Sequence, residues 1–372
     1  MTHLLRLTIL AAGVIAIGSC ANQQQSRNRV DPDVARARIA ALIPAKTASR
    51  DAWAADIFTA FESLKIEPSK ENACAVIAVI QQESTFRVDP TVPGLPGIAR
   101  REINARADRL GIPDALVSAA LRMRSPDGRT YEERLAAANT EKALSEIFED
   151  FIGSVPLGTK LFADWNPVRT GGPMQVSVAY AERHSKEKRY PYPVPESIRR
   201  EVFTRRGGLY FGIAHLLDYP APYRVMVYRF ADFNAGHYAS RNAAFQNAVN
   251  AAGRKKLALD GDLLIHDGGT SNTEQAVREL GPRLELSDAQ IHRDLEKGGQ
   301  EGFESTRTWK RVFELADQAR PKPVPRAMAP RIRLESAKIT RKLTTDWFAN
   351  RVNGRYDQCL TRGASPRKVR NP

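Results

Sequence analysis

Ala73-Cys74-Ala75-Val76-Ile77-Ala78-Val79-Ile80-Gln81-Gln82-Glu83-Ser84 is the stretch on which the reading of this chain turns. An unbroken apolar run follows Ser69, a fair N-cap, and Glu71, which suits the positive end of a helix dipole. A helix that is apolar nearly all round belongs at the centre of a fold, and this one ends in a carboxylate. Val79 and Ile80 precede Glu83 by four and three residues, so both flank its face. An apolar wall disfavours the ionised form of a carboxyl. A carboxyl that keeps its proton near neutral pH can donate it to a leaving oxygen. The plainer reading of Glu83 is a surface residue frayed off the helix end.

Working outward, Trp53, Ile57, Phe61 and Leu64 recur every three or four residues and predict a preceding amphipathic helix. Downstream, Asp89-Pro90, Pro93, Gly94, Pro96 and Gly97 predict an irregular stretch. Helical patterns then cover Ile103 to Leu110, Asp114 to Met123, Tyr131 to Ala138 and Lys142 to Ile152. After Gly172-Pro173-Met174-Gln175-Val176, Ser177 is expected to cap a helix running to about His184. Further helices are expected over Ile198 to Leu217, Tyr223 to Phe233, Thr273 to Leu280, Ser287 to Glu296 and Thr306 to Ala319. Pro321, Pro323, Pro325 and Pro330 read as a linker, with one more helix near Leu334 to Phe348. Few segments alternate as strands do, so the chain is expected to be mainly α.

Three short segments occur in order: Glu83-Ser84, Gly172-Pro173-Met174-Gln175 and Ala231-Asp232-Phe233-Asn234-Ala235-Gly236. Together they resemble the lytic transglycosylases of the soluble-lytic-transglycosylase (SLT) type, which have a goose-lysozyme-like fold. Those enzymes carry a Glu-Ser pair, a Gly-Leu-Met-Gln segment and an Ala-Tyr-Asn-Ala-Gly segment. Gly207-Gly208-Leu209-Tyr210-Phe211-Gly212 also resembles the helix before their third segment. The resemblance covers roughly residues 50 to 252; the remainder looks more like an uncharacterised group of proteobacterial lipoproteins. It implies a lysozyme-like catalytic domain over residues 50–320, with a helical insertion at about 94–165 and a Pro-rich linker and basic tail at 321–372. It implies Glu83 as catalytic acid and base. Ser84, Met174, Gln175, Phe233 and Asn234 would contact substrate. Each has a bland counterpart: Met174 as core, Gln175 as a cap, Asn234-Ala235-Gly236 as an ordinary helix end. Pro173 stands where the family has leucine, and Phe233 where it has tyrosine.

The implied reaction needs one carboxylate. Glu83 protonates the oxygen between N-acetylmuramic acid and N-acetylglucosamine, and the N-acetyl group relieves the charge growing at C1. Glu83 then takes the proton of the C6 hydroxyl as that oxygen closes on C1, leaving a 1,6-anhydromuramoyl end. A hydrolytic muramidase needs a second carboxylate, for which Asp89, Asp164 and Asp232 are the candidates. A groove that binds peptidoglycan without cutting it is the non-enzymatic alternative. Arg100, Arg101 and Arg106 of the insertion either meet stem-peptide carboxylates or form a solvated helix face.

The ends set the expected location. Arg6 and the apolar Leu7 to Gly18 resemble an export signal, too short to span a bilayer as a mature helix. Ile17-Gly18-Ser19-Cys20 resembles a lipobox, implying a signal peptide at 1–19, an acylated Cys20 and a tether over 20–49. With Ala21 next, rather than aspartate, such lipoproteins go to the outer membrane and face the periplasm. Acyl chains anchor by roughly 0.8 kcal/mol per buried methylene. The net charge is +14, and fourteen Lys/Arg against three Asp/Glu fall after residue 319. A basic tail suits nucleic acid, which an exported protein rarely meets. An anionic envelope surface is the alternative partner, and a solvated tail with no partner stands equally. Cys74 and Cys359 either pair, tying the tail to the Glu83 helix, or remain a buried small hydrophobe and a free thiol. The scattered histidines suggest no metal, and no glycine-rich phosphate loop suggests a nucleotide cofactor. Asp260-Gly261-Asp262 and Asp267-Gly268-Gly269 read as turns rather than calcium loops.

Overall fold

A computed structural model describes residues 31–154, 166–253, 255–265, 268–334 and 343–362. The export signal, Cys20 and Asp164 lie outside them. The described chain is mainly α, with only two two-stranded antiparallel pairs.

The central element is the apolar run. Helix α1 (Pro32–Leu42) and helix α2 (Arg50–Leu64) precede it, and helix α3 spans Lys70–Glu83. Ser69 Oγ accepts from Asn72 N at 3.1 Å, which caps α3 as the sequence predicts. Every residue from Ala73 to Ile80 is buried. The all-round burial has a simple cause: α3 is packed by α1 on one side, by α10 (Arg205–Leu217) on another and by the C-terminal α16 (Thr345–Thr361) on a third. Trp53, Ile57, Phe61 and Leu64 of α2 join the same core.

The intervening helices are α4 (Leu95–Arg109), α5 (Asp114–Leu121), α6 (Tyr131–Ala137) and α7 (Glu141–Ser154). They form a separate cluster around Leu95, Tyr131, Leu135, Leu144 and Ile147, closed by Val168 and Phe203. Strands β1 (Thr170–Gly171) and β2 (Val176–Ser177) then make a tight hairpin, Thr170 opposite Ser177 and Gly171 opposite Val176. Helix α8 (Val178–Glu187) follows, with Ser177 Oγ accepting from Tyr180 N at 3.3 Å. The expected helix over Ile198 to Leu217 is interrupted. Helix α9 (Ile198–Val202) stops, and Thr204 starts α10 afresh by accepting from Gly207 N at 3.0 Å.

Helices α11 (Met226–Ala235) and α12 (Ala239–Ala252) lead to α13 (Asn272–Leu284), α14 (Asp288–Leu295) and α15 (Arg307–Gln318). Phe245, Val277, Leu284, Ile291, Phe303 and Phe313 give this region its own core. Strands β3 (Arg333–Leu334) and β4 (Leu343–Thr344) pair just before α16.

Other segments differ from the sequence reading. Helix α4 begins at Leu95, inside the stretch expected to be irregular. Part of the expected tether is α1, with Ala35, Ile39 and Leu42 in the main core. The expected tail holds α16, eleven residues later than the helix expected at Leu334. It delivers Phe348, Ala349, Val352 and Cys359 to the main core. Cys359 is bonded to Cys74 of α3 across 285 residues of sequence. Among the described residues, no helix is long and apolar enough to cross a membrane.

Candidate functional site

Glu83 is the last residue of α3 and is half-buried. Ser84 ends the helix: its N–H donates to Ile80 O at 3.0 Å and its Oγ to the same carbonyl at 3.2 Å. It is buried, so its hydroxyl serves the helix end. Thr85 and Phe86 follow with φ of 52° and 60°. Two successive non-glycine residues in the left-handed region are costly, on the order of 1 kcal/mol or more each, and such strain gathers at functional sites. Phe86 is held by an edge-on contact with Trp53, ring centres 5.2 Å apart.

The second segment is the hairpin turn. Gly172 has φ of 70°, and a Cβ there would stand 2.1 Å from Val202 O, so only glycine fits. Met174 has no exposed surface and lies against α10 at Gly212, where a Cβ would meet its side chain at 2.6 Å. The Gly-rich start of α10 and the Gly-Pro-Met-Gln turn are thus two halves of one close packing. Met174 sits in the core, below any surface a substrate could reach. Gln175 alone turns outward, half-buried, with φ of 51°. Its Oε1 accepts from Thr170 Oγ1 at 3.3 Å and its Nε2 donates to Gly172 O at 3.3 Å.

The third segment closes α11. Asn234 is exposed, and its Oδ1 accepts from Thr345 Oγ1 at 3.1 Å, at the head of α16. Phe233 is buried, and its carbonyl accepts from His215 Nε2 at 3.2 Å. Asp232 has no exposed surface and accepts from Tyr219 Oη at 2.9 Å, Tyr238 N at 3.0 Å and Ser240 N at 2.7 Å. Burial pushes its carboxyl up to about 6, partly offset by the Ser240 and Tyr219 hydrogen bonds. Those bonds fix the turn into α12 and engage both carboxylate oxygens. Asp89 is raised by desolvation and hydrogen-bonds Thr140 ahead of α7, in the insertion.

Helix α16 joins the first and third segments. Arg355 donates from Nε to Gln82 Oε1 at 3.2 Å and has Glu83 as an attractive charge. Thr345 of the same helix holds Asn234. The hairpin with Gln175 reaches the group through α10, which packs on both α3 and α11. A guanidinium from the tail therefore reaches the helix end that carries Glu83, through Gln82. Sequence reasoning missed the α16 residues. The available signal was the Cys74 and Cys359 pair, which carries the tail onto α3 once bonded.

Other candidates resolve differently. Arg100 pairs with Glu132 at 3.3 Å and Arg106 with Glu102 at 2.6 Å, which suits a solvated, internally paired helix face. Asp260 Oδ1 accepts from Gln246 Nε2 at 2.6 Å and Asp262 N at 3.0 Å, a turn around Gly261. Among the described residues no cluster of His, Cys, Asp and Glu could hold a metal. A cavity of about 390 Å³ lies in the insertion between Ile103, Leu121, Leu135 and Phe151, apart from the three segments.

A family model described as a protein of unknown function, DUF1615, matches residues 46–362. The "Uncharacterized protein YaiW" of Escherichia coli (strain K12) is 52% identical over 356 residues, covering 95% of this chain and 97% of that protein. No solved structure gives a significant match. The chain belongs to the DUF1615 family.

Proposed function

We propose that this protein is a periplasm-facing outer-membrane lipoprotein with a lysozyme-like core that cleaves peptidoglycan. Acylated Cys20 is its anchor. Its substrate bond is the β-1,4 link between N-acetylmuramic acid and N-acetylglucosamine. Glu83 gives its proton to the glycosidic oxygen as the C1–O bond breaks, then takes the proton of the C6 hydroxyl as that oxygen bonds to C1. The balance needs no water and leaves a 1,6-anhydromuramoyl end. Gln175 and Asn234 hold the glycan in this reading.

The observation that carries this reading is the setting of Glu83. A carboxylate closes a helix buried without a break from Ala73 to Ile80, is half-buried itself, and is followed by two left-handed non-glycine residues. Gln175, on a separate element, carries the same backbone signature. The test is Glu83→Gln on purified sacculi. The variant keeps its helical circular dichroism and releases no anhydro ends by mass spectrometry, whereas the parent releases them. Full release by the variant removes Glu83 from the chemistry. Hydrated reducing ends from the parent would point instead to a muramidase.

One observation favours a second reading, a groove that binds peptidoglycan without cutting. Arg355, bonded to Gln82 next to Glu83, brings a guanidinium to this helix end, which an anion-holding groove uses and a proton donor does not need. Retention on sacculi with no cleavage products would decide for it.

A further inference from the structure

Trp347, Arg351 and Arg355 recur at every fourth residue of α16, so they run along one side of it, about 6 Å apart along the axis. The inward side is separate: Phe348, Ala349 and Val352 are in the core. Trp347 is 38% exposed, while Trp53 and Trp309 are 3% and 6% exposed, so this indole is not serving the interior. Arg351 lies over it, Cζ to ring centre 5.5 Å. Arg355 experiences Arg351 as a repelling charge and Glu83 as an attracting one. The strip therefore runs from Arg355, bonded to Gln82 next to Glu83, through Arg351 to the exposed indole near the head of α16, where Thr345 holds Asn234.

We infer that this strip of α16 is the wall of the glycan site that selects an acidic sugar. The inference rests on the reading of the protein as a peptidoglycan binder. Trp347 stacks on the apolar face of a sugar ring, and a broad rigid indole does so at low entropic cost. Arg351 takes a carboxylate, for which its planar fork is suited. A muramoyl residue supplies that carboxylate from its lactyl group when no peptide is attached, and from the stem peptide when one is. N-acetylglucosamine supplies none. Selection of muramoyl over N-acetylglucosamine units thus falls to a helix outside the three segments.

The experiment uses the full chain carrying Glu83→Gln, so that nothing turns over, and calorimetric titration with three soluble probes. These are peptide-free peptidoglycan strands, the same strands with peptides attached, and a neutral N-acetylglucosamine oligomer of equal length. Charged strands are expected to bind about tenfold tighter than the neutral one, the scale of one charge-assisted contact. Trp347→Ala weakens all three by about tenfold. Arg351→Gln removes only the preference for charged strands, and Arg351→Lys restores part of it. Preference on peptide-free strands assigns the lactyl carboxylate; preference confined to peptide-bearing strands assigns the stem peptide. Equal loss on all probes with Arg351→Gln, or no loss with Trp347→Ala, overturns the inference. If the strip variants bind unchanged while chains with Glu83 intact still release anhydro ends, cleavage stands and the wall falls. If binding follows the expected pattern without anhydro ends, the wall stands and cleavage falls. No binding to any probe ends both.

Discussion

Arg241, on α12, has no exposed surface, yet it carries a full charge into the molecule. Its guanidinium donates to Gly298 O at 2.6 Å and Gln300 O at 2.9 Å, meets Glu304 at 3.2 Å, and stacks on Tyr238 at 4.2 Å. Four separate partners in one planar fork explain how the burial is tolerated. Arg241→Met leaves Gln300 O without its donor, Gly298 O with Asn242 Nδ2 alone, and Glu304 without its cation. We expect a loss of about 3 kcal/mol or more in urea unfolding; a loss below about 1 kcal/mol would show that water replaces the guanidinium. Nothing in the sequence marks Arg241 as buried, because charge in an Ala-rich stretch reads as surface. Asp232 was hidden for the same reason. Glu83, Gln175 and Asn234 were singled out by the resemblance of their three ordered segments, since each alone reads equally as a surface residue, a cap or a helix end. Trp347 was not, since a lone tryptophan beside a basic tail has no period to place it.

The helices with strong apolar spacing were readable: α2, α3, α5, α6 and α7 fall where the pattern puts them, within a few residues, whereas α4 begins eight residues before Ile103, inside the Pro- and Gly-containing stretch expected to be irregular. Those without it were not. Helix α12 reads as Ala, Asn and Gln with no stripe, and it is helical because tertiary packing buries nearly all of it. Helix α16 was displaced because its register is set from outside, by core contacts with α3 and α11 and by the Cys74–Cys359 bond. That bond spans 285 residues, so it restricts the unfolded chain strongly, by about 5 kcal/mol in the chain-entropy picture. Replacing both cysteines by alanine should lower the thermal midpoint by many degrees. Adding dithiothreitol should bring the parent down to the variant while leaving the variant unchanged. A parent indifferent to reductant would mean that packing alone holds α16 in place.

Three hydrophobic clusters share one chain, and the seam at α10 and α11 collects buried rings. His215 and His237 stack at 4.6 Å, Tyr219 stacks on His237 at 4.1 Å, and Tyr180 lies 4.6 Å from His215. His215 Nε2 donates to Phe233 O, so its Nδ1 is the bare nitrogen, buried without a partner among the described residues. Burial, then the neighbouring His237, pushes His215 down to about 3. His184 and His237 are lowered too, each chiefly by burial. Below an unfolded value of about 6.5, the unfolded chain takes protons that the folded one refuses. The histidine contribution is therefore complete above pH 6.5 and is lost as pH falls toward 3. Asp232 acts oppositely: raised to about 6, it takes its proton earlier in the folded state, which adds stability as pH falls from 6 to 3.8. Within this cluster His215, lowered from 6.5 to about 3, outweighs Asp232, raised from 3.8 to about 6, so the contribution of the cluster falls with acid. Each uncompensated proton is worth about 1.4 kcal/mol per pH unit. His215→Gln keeps a donor for Phe233 O and removes one titrating group. It should lose less stability than the parent between pH 7.5 and pH 5, by about 2 kcal/mol, read as a flatter plot of thermal midpoint against pH. Parallel acid limbs for the two proteins would show that His215 is protonated in the folded state, and that the ring cluster is open to water.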